Sequence, residues 1–279
     1  MEKITISGVT LEGFAQGGWQ TAIYCPEARC IFDMGVMLPV TVENYFLTHG
    51  HPDHSSALPY IVARRSIQDA QRVAKIHVPE QLAAAVRSLI DGADVLYGGR
   101  RGKAKAEVVP MKIGDAVQLK GGITVRAVRT FHDAPACGWA VEQTTRKLKP
   151  EFVGMEGAEI GRLRQNGVEV TDDVTGTILM VPGDTKIEFL LRCEQARKAK
   201  VLTHEVTYWD DQSSPEKCRA FGHTHVDEMI EHCEKFEGES LVLVHRSMKY
   251  KRREIEEIIK RRFPAAMLPR IHVFDGGDR

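Results

Sequence analysis

The sequence predicts a layered α/β architecture folded as one domain. Strand-like and helix-like stretches alternate twice over along the chain, and no linker-like stretch divides its two halves. With 279 residues, 43% of them hydrophobic, the chain can bury one substantial core. Heptads, low-complexity tracts and fixed-period repeats are absent from the sequence, so solenoids and coiled coils drop out.

Short apolar runs at 4–9, 21–24, 30–32 and 45–47 are separated by Gly, Pro and polar turns, the punctuation of successive β-strands forming a first sheet. From 55 to about 74 the spacing lengthens to a helical one. Pro79 is expected to open a second helix with Leu82, Val86, Leu89 and Ile90 on one face. Strands resume over about 108–141. A charged, glycine-containing segment at about 146–173 reads as an insertion into a domain spanning 1–279. A strand at 176–181 follows, then further stretches at 187–198, 201–202, 226–235, 241–244 and 254–262.

Bulk chemistry narrows the setting. Thirty-eight basic and thirty-eight acidic residues cancel, so an anionic partner must be met by local patches rather than by a field over the whole surface. The six cysteines form no CxxC pair, which argues against both a disulfide framework and a thiolate zinc knuckle and for a reducing compartment. No signal-like start and no run of about 20 apolar residues occurs. The expectation is a cytoplasmic protein that does not enter a membrane.

The chemistry concentrates at Leu47-Thr48-His49-Gly50-His51-Pro52-Asp53-His54, directly after an apolar strand. Imidazole nitrogens and carboxylate oxygens are ligands that zinc accepts. A turn can converge several of them, where a regular strand would split them between its faces. One turn cannot complete two metal shells, so further ligands are required in similar settings. His132 follows the run 124–131, Asp184 follows 178–181 through Pro182-Gly183, and His245 follows 241–244. Each alone could be an ordinary turn residue. Three of them at the ends of predicted strands make a pattern.

His49-x-His51-x-Asp53-His54, His132, Gly183-Asp184-Thr185 and His245 resemble, in order, the ligand motifs of the metallo-β-lactamase superfamily. The resemblance implies a four-layer αββα sandwich holding two Zn2+ per chain, other divalent metals being alternatives. It places His49, His51 and His132 on one metal and Asp53, His54 and His245 on the other, with Asp184 between them. Two ions about 3.5–4 Å apart lower the pKa of a bridging water and clamp the oxygens of an in-line displacement, which suits phosphodiesters. Thioester, lactam and sulfate-ester hydrolysis use the same core, so the ligands alone do not choose the substrate.

The substrate is indicated by Thr203-His204-Glu205-Val206-Thr207 and Gly222-His223-Thr224-His225, which resemble the HEAT and HST motifs of the ribonuclease Z family. That family implies a zinc-dependent endoribonuclease that removes the 3′ trailer of precursor tRNA, working as a homodimer, with Asp53, Glu205 and His223 as catalytic residues. His223 would protonate the departing 3′ oxygen, and Glu205 would orient and charge it, since a carboxylate raises a neighbouring imidazole's pKa. Thr224 and Asp227 are also read as a capping pair ahead of an amphipathic helix. His225 is read as lying outside the metal shells, and His204 has only its adjacency to Glu205.

The resemblance covers nearly the whole chain and is nearest to the short, plant-type enzymes, through Arg129-Thr130-Phe131-His132, the runs 147–154 and 167–172, and His223-Thr224-His225. Two departures stand out. The bacterial-type arm that grips the tRNA elbow is reduced to about 146–173, and Arg246-Ser247-Met248-Lys249-Tyr250 replaces a Phe-Ser-x-Arg-Tyr type run. Basic clusters at 64–65, 100–105, 147 with 149, 249–253 and 260–262 are candidate phosphate contacts, with 100–105 the foremost. The rival readings are a small-molecule hydrolase of the same fold, such as a cyclic-nucleotide phosphodiesterase or an arylsulfatase-like enzyme, and a non-catalytic RNA-binding subunit.

Overall fold

A computed structural model describes residues 1–68, 73–98 and 106–277, so the basic cluster at 100–105 lies outside the described residues. Among them the strands form two mixed sheets. In the first, β1 (Glu2–Ile6), β2 (Val9–Gly17), β3 (Gln20–Cys25), β4 (Cys30–Phe32), β5 (Asn44–Phe46), β6 (Ala74–Pro79) and β7 (Ala106–Met111) pair in sequence order. The second contains β8 (Ala116–Gln118), β9 (Ile123–Val128), β10 (Gly138–Leu148), β11 (Thr171–Val181), β12 (Val201–Glu205) and β13 (Ser240–Val244). β14 (Arg246–Ser247) returns to the first sheet alongside β2, and β15 (Ile271–Val273) adds to the second beside β13.

Helices α1 (Pro52–Ser55), α2 (Leu58–Gln68) and α3 (Ala83–Leu96) belong to the first half; α4 (Gly157–Gln165) follows β10. In the second half are α5 (Glu188–Arg192), α6 (Glu194–Lys198), α7 (Pro215–Ala220), α8 (Val226–His232) and α9 (Arg252–Arg262). Strand alternation sorts the core into three slabs. Phe32, Phe46, Trp139, Val201 and Val242 lie between the sheets. Tyr45 and Leu47 turn to the α2 and α3 side, where Val62, Val86 and Ile90 pack. Leu202, Leu241 and Leu243 turn to the opposite side, against Leu190, Met229 and Ile255. The result is the helix–sheet–sheet–helix sandwich of the metallo-β-lactamase fold.

Several local expectations are corrected. The run 4–9 is a hairpin rather than one strand, because Ser7 and Gly8 both take positive φ (46° and 70°) and turn the chain between β1 and β2. The stretch before Pro79 is the buried parallel strand β6, and Pro79 ends it; parallel strands covered on both faces lack the alternation that announces a half-exposed strand. Leu89 is exposed, so the inward face of α3 is Ala83, Val86 and Ile90. The stretch 187–198 breaks at Cys193 into α5 and α6.

Past Gln143 and before Thr177, β10 and β11 pair only with each other, through Thr144–Thr175, Arg146–Asp173 and Leu148–Thr171. This two-stranded ribbon carries the short α4. Elsewhere, the first and last strands are tied by polar contacts. Glu2 accepts from the backbone N–H groups of Asp275 and Gly276 at 3.0 Å, Arg252 reaches Glu2 and Asp275, and Arg246 pairs with Asp275. Ala15 on β2 then bonds both Asp275 O (3.2 Å) and the N–H of His245 (2.8 Å).

Strands β4 to β7, and β11, β12, β13 and β15, run parallel within their sheets. The carboxyl ends of β4, β5, β11, β12 and β13 deliver Asp33, His49, Asp184, Glu205 and His245. Ligand sites in open α/β sheets form at such ends, where loops replace regular pairing. An isolated bridge between His49 and Ala136, with Cys137 N–H bonded to Thr48 O at 3.0 Å, joins the two sheets there. Membrane entry gains no support: no described helix is long and apolar enough to cross one.

Phe46 sits at the centre of the middle slab, 5.0 Å edge-on from Trp139 and 4.5 Å stacked on His77 (ring centroids). Phe46→Ala is expected to cost about 3–5 kcal/mol in urea unfolding, whereas Val153→Ala on the exposed side of the ribbon should change it by less than about 0.5 kcal/mol.

Candidate active site

The turn after β5 begins with Thr48, whose side chain and N–H both donate to the buried carboxylate of Asp33 (2.9 and 2.7 Å to Oδ1). Pro52 then starts α1, and this short helix swings Asp53 and His54 back toward His49. His54 Nδ1 donates to Asp33 Oδ2 at 2.8 Å. The same carboxylate thus holds both ends of the motif.

All seven sequence-predicted ligands converge. His49, His51, His132 and Asp184 have ligand atoms within 4.8 Å of one another, as do Asp53, His54 and His245, and likewise Asp184, His223 and His245. Asp184 lies between the two clusters, with Oδ2 3.5 Å from His49 Nε2 and Oδ1 3.2 Å from the Nε2 atoms of both His54 and His245. Asp53 Oδ2 stands 3.2 Å from His245 Nε2 and 3.6 Å from His54 Nε2. The place of Asp184 depends on Gly183: φ is +68°, and a Cβ there would meet Thr48 at 2.6 Å, so only glycine lets the β11 loop close onto the β5 turn.

Outer hydrogen bonds decide which nitrogen each ring turns inward. Thr48 Oγ1 gives its proton to Asp33 and so accepts from His49 Nδ1 at 3.0 Å. Thr207 Oγ1 gives its proton to Glu205 Oε2 (2.8 Å) and accepts from His245 Nδ1 (3.0 Å). His132 Nδ1 donates to Gly222 O at 3.1 Å. With Nδ1–H committed in each case, and in His54 to Asp33, three rings turn Nε2 toward the carboxylates of Asp53 and Asp184, and His132 turns its Nε2 toward His51 Nδ1 at 3.4 Å. Outer partners of this kind are what orient metal-ligating histidines.

Those inward atoms need a cation. The Nε2 atoms of His54 and His245 are only 3.1 Å apart, and His49 Nε2 and Asp184 Oδ1 are buried with no hydrogen-bond partner. Without a cation a proton supplies the charge. Burial opposes charging His54, yet Asp184 and Asp33 outweigh it and hold the ring well above the ordinary histidine range. Burial and the neighbouring His54 push His49 well below it. Burial would raise the carboxyl of Asp184, but His245 and His54 hold it well below the carboxylate range. A nitrogen–carboxylate set of this kind suits a divalent metal.

Beside the cluster, His223 Nδ1 lies 2.9 Å from Glu205 Oε1 and 3.9 Å from Asp184 Oδ2, and its ring stacks on that of His245 at 5.6 Å. Glu205 is fully buried and also accepts from the N–H groups of Thr185 and Thr224, both at 3.2 Å. Burial works against a charged His223, but Glu205 and then Asp184 and Asp53 push it up to about 9.

The other histidines of these motifs are structural. His225, not Thr224, is the N-cap of α8: its ring accepts from Asp227 N–H at 3.2 Å, and Glu228 rather than Asp227 answers from within the helix, accepting from His225 N–H at 3.1 Å. Thr224 instead donates to Thr185 O at 2.8 Å. His204 points to the opposite face of β12, donating to Glu205 O at 2.9 Å beside Phe189. Asp33, Thr48 and Thr207 were not singled out from the sequence. Asp33 was detectable as an acid at the end of the apolar run 30–32; the threonines carry no comparable signal.

Several residues of the described basic clusters are paired internally: Lys149 with Asp172, Arg252 with Glu2 and Glu256, Arg253 with Glu257, Arg262 with Asp227. Arg65 is buried. Two cations do flank the cluster. Lys186, following Asp184-Thr185, pairs with Asp133 at 2.8 Å. Lys249 pairs with Asp210 at 3.2 Å and lies 5.6 Å over the Tyr208 ring, itself 6.3 Å from His223.

Residues 40–149 match the family model for the β-lactamase superfamily domain. The tRNase Z TRZ1 of Arabidopsis thaliana is 35% identical over 266 residues, an alignment covering 93% of this chain and 94% of the relative. Two solved structures share the fold. The metallo-β-lactamase fold protein YhfI of Bacillus subtilis has a TM-score of 0.63 at 14% identity, covering 97% of each chain. The short form of human tRNase Z has a TM-score of 0.57 at 16% identity, covering 98% of this chain and 96% of that one.

Asp33→Asn keeps the shape of the side chain while removing the charge that orients His54 and Thr48. It is expected to weaken zinc binding by roughly 10- to 100-fold in competition against a chromogenic chelator, with the fold retained by circular dichroism. An unchanged affinity would contradict the orienting role.

Proposed function

The chain belongs to the tRNase Z family of the β-lactamase superfamily, and we propose that it is a metal-dependent endoribonuclease that removes the 3′ trailer from precursor tRNA. The observation that carries this reading is the Glu205–His223 pair, 2.9 Å apart and directly beside the ligand cluster. A general acid is what the leaving ribose oxygen requires, and the metal ligands alone would serve many hydrolyses.

In this proposal His49, His51 and His132 hold one Zn2+, Asp53, His54 and His245 the other, and Asp184 is shared between them. Two such ions would activate water and clamp the phosphate oxygens of an in-line displacement. The residues then divide the remaining work. Glu205 fixes the His223 ring through Nδ1 and favours its charged form. His223 Nε2 gives its proton to O3′ as hydroxide attacks phosphorus and the P–O3′ bond breaks. The tRNA keeps a 3′-hydroxyl and the trailer keeps the phosphate. Asp53, bonded to the β2–β3 turn through Gly18 N–H at 2.7 Å, holds its carboxylate at the mouth of the site.

The β10–β11 ribbon at 146–173 is read as the reduced substrate-gripping arm. A cytoplasmic location is proposed on the six free cysteines, which a reducing compartment would preserve. A homodimer belongs to the same reading; it is supported by Ile67, Leu89, Val95 and Leu96, apolar side chains on α2 and α3 that are exposed in the single chain. Sedimentation at micromolar concentration should then return twice the chain mass.

The deciding measurement is a map of the cut. Zinc-loaded protein should cleave a precursor tRNA at one phosphodiester 3′ of the tRNA body, and His223→Ala and Asp184→Ala should abolish the cut. An intact trailer, or normal cutting by both variants, would sink the assignment and return the small-molecule hydrolase to the fore.

The pH profile gives a second test. His223 is active when protonated, so activity should fall at high pH as it loses its proton. Glu205→Gln removes the charge that favours protonation, so this alkaline limb should move to lower pH by roughly 1–2 units. A limb that stays in place would assign the acid elsewhere.

A further inference from the structure

The turn between β2 and β3 is built into the wall of the site. Gly17 lies against His245: a Cβ there would stand 2.7 Å from the His245 carbonyl oxygen and 3.1 Å from its ring. Gly18 donates its N–H to Asp53 Oδ2 at 2.7 Å, and Trp19 N–H closes the turn on Gln16 O at 3.1 Å. Two glycines therefore set the turn directly on two of the proposed ligands. The next residue is a tryptophan whose Cα is about 3.8 Å further along the chain.

Trp19 is 50% exposed, while Trp139 and Trp209, at 0% and 2%, are core residues. Leaving half an indole in water forgoes the burial that drives the other two inward, and here the backbone that carries it is built against Asp53 and His245. The turn Gly17-Gly18-Trp19-Gln20 carries no charged side chain, so it offers a phosphate no countercharge. An indole does offer a nucleobase a rigid π face, and base–aromatic stacking is tolerant of sequence. RNA is read chiefly where its bases are unpaired and can be splayed onto such faces, which describes a single-stranded trailer junction.

We propose that Trp19 is a positioning residue whose indole stacks on the base of a nucleotide flanking the scissile phosphate, so that the tRNA–trailer junction is held in register with the site. The inference rests on the precursor-tRNA reading above. It concerns register and affinity, and leaves the proton transfers to Glu205 and His223.

The test is a double-mutant cycle between protein and RNA. Wild type and Trp19→Ala are assayed on an intact precursor tRNA and on two versions with an abasic nucleotide, one on each side of the cleavage point. Trp19→Ala should raise KM on intact RNA roughly 5- to 100-fold with little change in kcat, and Trp19→Phe should recover most of the loss. One abasic substitution should cost the wild type a similar factor and cost Trp19→Ala almost nothing more. Losses that multiply at both positions, or an unchanged KM, overturn the proposal.

A second readout separates this inference from its premise and does not depend on the variants folding. Because the other two indoles are buried, fluorescence quenching as single-stranded RNA binds the wild-type protein reports Trp19. If precursor tRNA goes uncut but bound RNA still quenches that emission, the premise fails and the stacking stands. If RNA binds by anisotropy without quenching, the stacking fails whatever the substrate.

Discussion

A single buried carboxylate, Asp33, carries the geometry on which the site depends. It accepts from Thr48 N–H, from the Thr48 hydroxyl and from His54 Nδ1, and it does so from a left-handed backbone (φ 61°) at the end of β4. A non-glycine residue there is strained, and surroundings that over-determine the conformation must hold it. By fixing Thr48 it also fixes His49, so two ligands take their tautomers from one anion. Removing that anion would leave buried donors unanswered as well as ligands unoriented.

The acid side repeats this design with different residues. Glu205 gathers two backbone N–H groups, the Thr207 hydroxyl and the His223 ring, and Thr207 passes the influence on to His245. The His/Asp cluster and His223 are therefore coupled through one threonine hydroxyl. His245 adopts the second strained backbone of the site, also at φ 61°, where β13 ends. The chain thus turns left-handed where β4 and β13 hand over to the site, as it does at Gly183 after β11.

Much of this was legible in the sequence because ligands are chemically distinctive and sit where strands stop. His49 to His54, His132, Asp184 and His245 could be named from residue type and position alone. What held them could not. Thr48 and Thr207 are ordinary threonines until folding brings Asp33 to the first and His245 to the second, and no local pattern records contacts between residues 15 and 38 apart. The same limit explains β6, whose burial on both faces erases period-two alternation, and the N-cap of α8. There Thr224 has the better capping propensity, but it is already committed to Thr185, so His225 takes the position.

The tie between Glu2 and Asp275 spans 273 residues, and through Ala15 it reaches the backbone of His245. Contacts of such sequence separation repay the entropy of chain closure only late, and synthesis proceeds from the amino end. β1 can pair with β2 as soon as both are made, but Glu2 must wait for Asp275, 273 residues further along the chain. A nascent chain can therefore assemble the His49–His54 turn long before it can lock His245. An arrangement that needs both clusters therefore forms only once His245 has been made and docked against Ala15.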